Sequence, residues 1–241
     1  MTPSEPTPPG IAALEAWGLA RCPLRDLRRL EPHVARLSAA FTGDRPEAFA
    51  PYLDEPDALT AYALAFAPQT YARVAAALAG VLARLPAFPD RPLRVLDLGC
   101  GLASATLAAK DLLGPVAPTC VDWSDAALTA VKTLLPEAET VRADLRRFVP
   151  EGPYDLIVAS FAVNECWADP QAAAETLRRW AAALAPDAPS FILLLEPADR
   201  ASVPRLHALR GLLPDLPLYA PCPHRGPCPL NPVQDGVCHD V

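Results

Sequence analysis

Residues Leu93 to Lys110 read LRVLDLGCGLASATLAAK. A short apolar run, Leu93 to Leu96, enters the turn Asp97-Leu98-Gly99-Cys100-Gly101, and an alanine-rich helical pattern follows without a gap. Strand, glycine turn and helix in this order open a doubly wound α/β sheet, in which ligands bind beyond the carboxyl ends of the strands. Glycines at 99 and 101 let the turn tighten and let a ligand approach bare backbone. A plain βα connection remains the bland alternative for a single glycine turn.

Downstream, the same alternation continues. Ala117–Val121 predicts a second strand ending at Asp122-Trp123, with Ser124 or Asp125 capping a helix to Leu135. Glu139–Val141 is a short third strand, followed by Ala143-Asp144-Leu145. Tyr154–Ser160 is a buried fourth, Gln171–Leu184 a helix, Phe191–Leu195 a fifth strand and Ser202–Leu213 a last helix. Strands separated by helices of this length predict right-handed crossovers and a mostly parallel sheet over residues 91–213. Upstream, residues 11–90 predict a helical segment broken by prolines: Ile11–Ala20, Leu24–Ala40, Asp57–Ala67 and Gln69–Leu85, with Pro68 a break. Tyr62, Phe66 and Tyr71 fall at near-helical spacing and read as core aromatics before they read as a binding stripe. Residues 1–10 are Pro-rich and expected to be disordered.

Composition sets bounds. At 241 residues, half of them hydrophobic, the chain suits one α/β domain with a modest extra segment. A net charge of −7 argues against gripping DNA or RNA through phosphates unaided. No stretch approaches the roughly 18 apolar residues of a membrane span, and MTPSEPTPPG lacks the features of a signal peptide. Seven cysteines, an odd number, suggest reduced thiols and a cytoplasmic setting.

Two details narrow the ligand. A dinucleotide fingerprint wants a third glycine where this chain has Ser104, and it needs no acid at the position of Asp97. The D-x-G-x-G form resembles motif I of S-adenosylmethionine-dependent methyltransferases, whose Rossmann-like sheet binds a cationic cofactor beside which a carboxylate is tolerable. Asp122, 25 residues beyond Asp97, has a carboxylate able to accept from a ribose diol, with helix capping as the alternative. Trp123 reads as a stacking surface for adenine or a partly buried core tryptophan. By the same resemblance Asp144, ahead of Leu145, stands where a carboxylate takes the adenine amino group; a solvated loop aspartate is the alternative. Ser160 and Asn164, in Ser160-Phe161-Ala162-Val163-Asn164-Glu165-Cys166, stand where cofactor and methyl acceptor meet. Cys166 reads as a small buried thiol. In-line methyl transfer needs positioning more than a base.

Residues 214–241 change character, with seven prolines and with cysteines at 222, 228 and 238 beside His224 and His239. Three thiols this close suggest metal ligation, by an iron–sulfur cluster or by zinc with one histidine. Leu218–Ala220 offers a first arm for a closing antiparallel hairpin, with no clear second arm. PCPHRGPCPL after LLLEPAD, with AYALAFAPQTYARVAAAL leading into VLDLGCGLASATLAA, resembles the methyltransferase-like small-ribosomal-subunit assembly family, mitochondrial ribosome factors and their bacterial relatives. The resemblance covers about residues 57–241. It implies a methyltransferase fold, association with the small ribosomal subunit or its rRNA, and a 4Fe-4S cluster on four cysteines, with Cys222, Cys228 and Cys238 matching the first three. No cysteine follows Cys238, so His239 or an earlier cysteine would complete the set, and a truncated C-terminus is expected. Some such proteins are catalytically inert, which leaves a non-catalytic assembly factor and a small-molecule methyltransferase as alternatives.

Overall fold

The computed structural model describes residues 6–42, 52–85, 88–199 and 202–220. The N-terminal segment comprises α1 (Pro9–Arg21), a 3-10 stretch (Leu24–Leu30), α2 (Glu31–Thr42), a 3-10 turn (Tyr52–Asp54), α3 (Pro56–Ala65) and α4 (Ala67–Leu82). Proline explains several of its boundaries. Pro9 and Pro56 open α1 and α3, and Pro68 lies in the first turn of α4, where a missing N–H leaves no bond unmade. The run Leu24–Ala40, expected as one helix, is divided at Glu31. Pro32 cannot donate to the carbonyl of residue 28, and its ring would press on that carbonyl, so the chain starts a new helix there. Of residues 1–10, expected to be disordered, residues 1–5 lie outside the described residues, while Pro9 and Gly10 open α1 and the Gly10 N–H donates to Asp111 Oδ2 at 2.8 Å.

Strands and helices then alternate: β1 (Leu93–Leu98), α5 (Ser104–Leu113), β2 (Val116–Asp122), α6 (Asp125–Leu134), β3 (Glu139–Arg142), β4 (Leu156–Ser160), α7 (Val163–Cys166), α8 (Pro170–Ala181), β5 (Phe191–Leu195) and α9 (Ser202–Gly211). All pairings are parallel, in the order β3-β2-β1-β4-β5. Side chains on a strand alternate between faces, and the burial follows that rule. Val95, Cys120, Leu156 and Val158 join one core with α1, α4, α5 and α6. Leu96, Leu98, Val121, Ile157 and Ala159 join another with α8 and Leu209 of α9. This is the doubly wound, Rossmann-like sheet expected from the sequence, with its strand order reversing between β1 and β4.

Two tethers fix the frame. Asp111 on α5 accepts from Gly10 N–H and from the Tyr71 hydroxyl at 2.7 Å, joining α1, α4 and α5. At the amino-terminal edge of the sheet, the buried Asp155 takes both ends of the Arg91 guanidinium at 2.6 and 2.8 Å and the Arg94 N–H at 2.8 Å. Burial alone would push its carboxyl up, but Arg91, Arg94 and that N–H overcome it and hold Asp155 well below the usual carboxylate range.

Leu218–Ala220 forms no strand, a correction to the expected hairpin arm. Pro217 and Pro221 flank it, and proline cannot donate to a ladder. Among the described residues no helix is long and apolar enough to cross a membrane.

Candidate functional site

The strand order reverses between β1 and β4, ligands of such sheets bind beyond the carboxyl ends of the strands at that point, and the turn after β1 lies there. Gly99 and Gly101 adopt φ of 70° and 52°. A Cβ on Gly99 would lie 2.8 Å from the Ala162 methyl and 3.4 Å from Leu145, so this position has room for glycine alone. Leu145 is thereby placed beneath the turn, buried. Gly99 and Cys100 both donate to the Val121 carbonyl, tying the turn to the end of β2. Ala103 at φ 55° completes the turn before α5, and Phe161 after β4 has φ 61°. Left-handed backbone at a non-glycine residue is uncommon, and here it occurs at the ends of both switch-point strands.

Asp122 joins the two loops. Its Oδ2 accepts from Gly101 N–H and its Oδ1 from Ser124 N–H, each at 2.9 Å. A carboxylate offers about four acceptor positions, so Asp122 holds both loops and keeps capacity for a ligand hydroxyl. Burial raises its carboxyl above the usual range, and these backbone bonds only partly counter it. Asp97 turns away from solvent entirely. Its Oδ2 accepts from Thr106 N–H at 3.2 Å and from the Thr106 hydroxyl at 2.8 Å, while Oδ1 is buried without a partner among the described residues. Burial pushes Asp97 up to about 6, against the pull of Thr106. The Ser104 hydroxyl in the same turn is also buried and unpartnered.

The remaining predicted residues spread around this centre. Trp123 is 50% exposed at the start of the β2–α6 connection, so it reads as a surface ring, not core. Asp144 closes its own turn: the Arg146 guanidinium holds its carboxylate at 2.7 to 3.1 Å, and that bond lowers its carboxyl. Ser160 ends β4. Asn164 lies on the one-turn α7, its Nδ2 buried and unpartnered, while Glu196 after β5 accepts from the Val163 and Asn164 N–H groups. Cys166 is half-buried, and burial pushes its thiol up to about 12. Cys222, Cys228, Cys238, His224 and His239 lie outside the described residues. Among the described residues no cluster of three or more His, Cys, Asp or Glu could hold a metal.

The N-terminal segment contributes two residues that sequence reasoning left out of the site. Asp54 accepts from the Ser124 hydroxyl, which also caps α6 by accepting from Ala127 N–H at 3.1 Å. Tyr62 on α3 lies against the glycine turn: a Cβ on Gly101 would stand 3.4 Å from its hydroxyl oxygen. Local sequence marks Tyr62 only as one of three aromatics that read as core, and Asp54 not at all, because both arrive by packing of one segment on another.

The profile of the family described as Mitochondrial small ribosomal subunit Rsm22 matches residues 56–240. A trans-aconitate 2-methyltransferase from Azoarcus sp. strain BH72 is 36% identical over 80 residues, 33% of this chain and 31% of that protein. One from Escherichia coli O139:H28 strain E24377A is 34% identical over 84 residues, 35% of this chain and 32% of that protein. The match therefore spans about a third of these curated relatives. Among solved structures, a putative O-methyltransferase from Nostoc punctiforme superposes with a TM-score of 0.48 at 17% identity, over 69% of this chain and 50% of that one. The plantazolicin methyltransferase BpumL, solved with SAH and a substrate analogue, gives 0.47 at 15% identity, over 83% and 65%.

Proposed function

The chain belongs to the family of the mitochondrial small ribosomal subunit protein Rsm22, and from that footing we propose that it is an S-adenosylmethionine-dependent methyltransferase acting on the small ribosomal subunit, with rRNA as methyl acceptor. The observation that carries the cofactor reading is Asp122, a buried carboxylate held by both loop backbones at the switch point with acceptor capacity to spare. Two further features fit an adenosyl ligand: the unpartnered Asp97 Oδ1 and the unpartnered Asn164 Nδ2.

In this reading Asp97, Gly99 and Gly101 shape the cofactor loop, with Leu145 supporting it from beneath. Asp122 accepts from the ribose, Trp123 and Asp144 flank the adenine, and Ser160 and Asn164 face the acceptor. The bound cofactor would supply an activated methyl group for in-line displacement. The chain's part is to orient the two reactants and exclude water. Cys222, Cys228 and Cys238 are proposed to hold a 4Fe-4S cluster, or zinc with His224 or His239, and the setting is proposed to be cytoplasmic. Anaerobic protein with a broad absorbance near ~400 nm supports the cluster; colourless protein with stoichiometric zinc supports the other metal.

A second reading has support from the relatives. The two relatives described above are named for a small carboxylic acid, and here Asp54 meets Ser124 and Tyr62 borders Gly101, so the N-terminal segment stands beside the cofactor loop, where a lid on a small acceptor would lie. Tritiated cofactor offered to purified small subunits and to a metabolite extract separates the readings. Label in rRNA supports the leading one. Label in metabolites alone replaces it with the second, and stable subunit binding without label replaces it with a non-catalytic assembly role.

A further inference from the structure

The glycine turn is faced by an aromatic ring that the Rossmann-like sheet itself does not supply. Tyr62 comes from α3, and a Cβ on Gly101 would lie 3.4 Å from its hydroxyl oxygen, 3.6 Å from Cε1 and 3.7 Å from Cζ, so ring and hydroxyl both border the turn. The ring is held from behind. It stacks on Phe66 with centroids 6.1 Å apart, and Phe41 meets it edge-on at 6.3 Å. Its fixed place is therefore set by packing within the N-terminal segment.

Its surroundings are anionic. Burial raises the Tyr62 hydroxyl well above its ordinary value. The charges of Glu165 and Asp122 add to this, a hydrogen bond with Thr70 opposes it, and Asp97 adds a smaller push. Geometry places Asp122 beside the ring as well: its Oδ2 holds, at 2.9 Å, the N–H of the same Gly101 that the ring borders. Asp97, in the strand that leads into this turn, has its Oδ1 fully buried with no partner among the described residues. An aromatic face attracts a cation within about 6 Å of its centroid, and more strongly when water is excluded. Carboxylates beside the ring act in the same direction.

We propose that Tyr62 is a specificity-determining residue: its ring, with Asp122 across the Gly101 turn, forms a subsite for a cationic centre and favours the sulfonium of S-adenosylmethionine over the neutral thioether of S-adenosylhomocysteine. This rests on the cofactor reading above. The ring selects the methyl-bearing form and lets the demethylated by-product go, which limits product inhibition. The hydroxyl is secondary in this account, and the ring carries the preference.

Calorimetric titration of the full chain with S-adenosylmethionine, S-adenosylhomocysteine and sinefungin, whose amine is cationic where the sulfonium stands, tests it. Wild type is expected to bind both cationic ligands more tightly than the thioether. Tyr62→Phe keeps that preference. Tyr62→Leu lowers affinity for the cationic ligands about tenfold more than for S-adenosylhomocysteine, the scale of one partly desolvated cation–π contact. Equal losses for all three ligands in Tyr62→Leu overturn the inference and leave the cofactor site standing. Tyr62→Leu also removes packing with Phe41 and Phe66; should it fail to fold, the wild-type titration decides alone, since equal affinity for all three ligands overturns the inference. Wild type that binds none of the three overturns the cofactor reading and this inference together.

Discussion

Asp155 and Asp97 are both fully buried aspartates of the same sheet, at opposite ends of its strands, and they are treated in opposite ways. Asp155, at the amino-terminal edge, is surrounded by donors from Arg91 and Arg94. Asp97, at the carboxyl edge, receives one threonine and leaves Oδ1 unpartnered. The first is held below the usual carboxylate range and the second is pushed up to about 6. One end of the sheet is electrostatically finished and the other is left with unspent acceptors. Natural chains tolerate such unsatisfied groups where a ligand supplies the missing partner.

Removing the finished end should have the larger effect. Asp155→Ala is expected to cost about 2–3 kcal/mol, the scale of hydrogen bonds to a charged group, read from urea denaturation at pH 7. Because its folded value lies below the unfolded one, the stability it contributes is present above pH ~4 and is lost as the pH falls below that. Asp97 should act with the reverse sign. Its folded value exceeds the unfolded one, so its cost is absent below pH ~4 and grows as the pH rises through about 6. Asp97→Asn is therefore expected to be more stable than wild type at pH 7 by about 1–2 kcal/mol, and to show no gain at pH 4. A variant equally destabilised at both pH values would remove the contrast between the two ends.

How much of this was legible follows from which interactions are local. The strands were readable to within a residue or two, since short apolar runs bounded by Asp, Gly and Pro leave little choice of register. The glycine turn and Asp122 were readable because their spacing along β1 and β2 is fixed by the crossover. Asp144 follows β3 as the sequence predicts, and the D-x-R spacing of Asp144 and Arg146 carries the signal for their clasp. The one-turn α7 was too short to give a periodic signal. Tyr62 reads from the sequence as a core aromatic and Asp54 carries no signal, because they reach Gly101 and Ser124 across 39 and 70 residues of chain. That bond also gives the smallest of the expected effects. Ser124→Ala removes a helix cap worth about 1 kcal/mol. It also frees Asp54, so hydrogen exchange should quicken at the amides of 52–62 while those of β4 and β5 keep their protection. Unchanged exchange at 52–62 would mean that the N-terminal segment is held without this tie.

The central claim is that the unfinished end of the sheet binds an adenosyl cofactor through Asp122 and the glycine turn. Titration calorimetry with S-adenosylhomocysteine on wild type and on Asp122→Asn, each shown by thermal melt to be folded, tests it most directly. The account predicts saturable one-to-one binding to wild type, weakened at least about tenfold in Asp122→Asn, the 1.4 kcal/mol scale of one hydrogen bond to a charged group. Folded wild type that gives no heat, or an Asp122→Asn variant that binds as tightly as wild type, would contradict it.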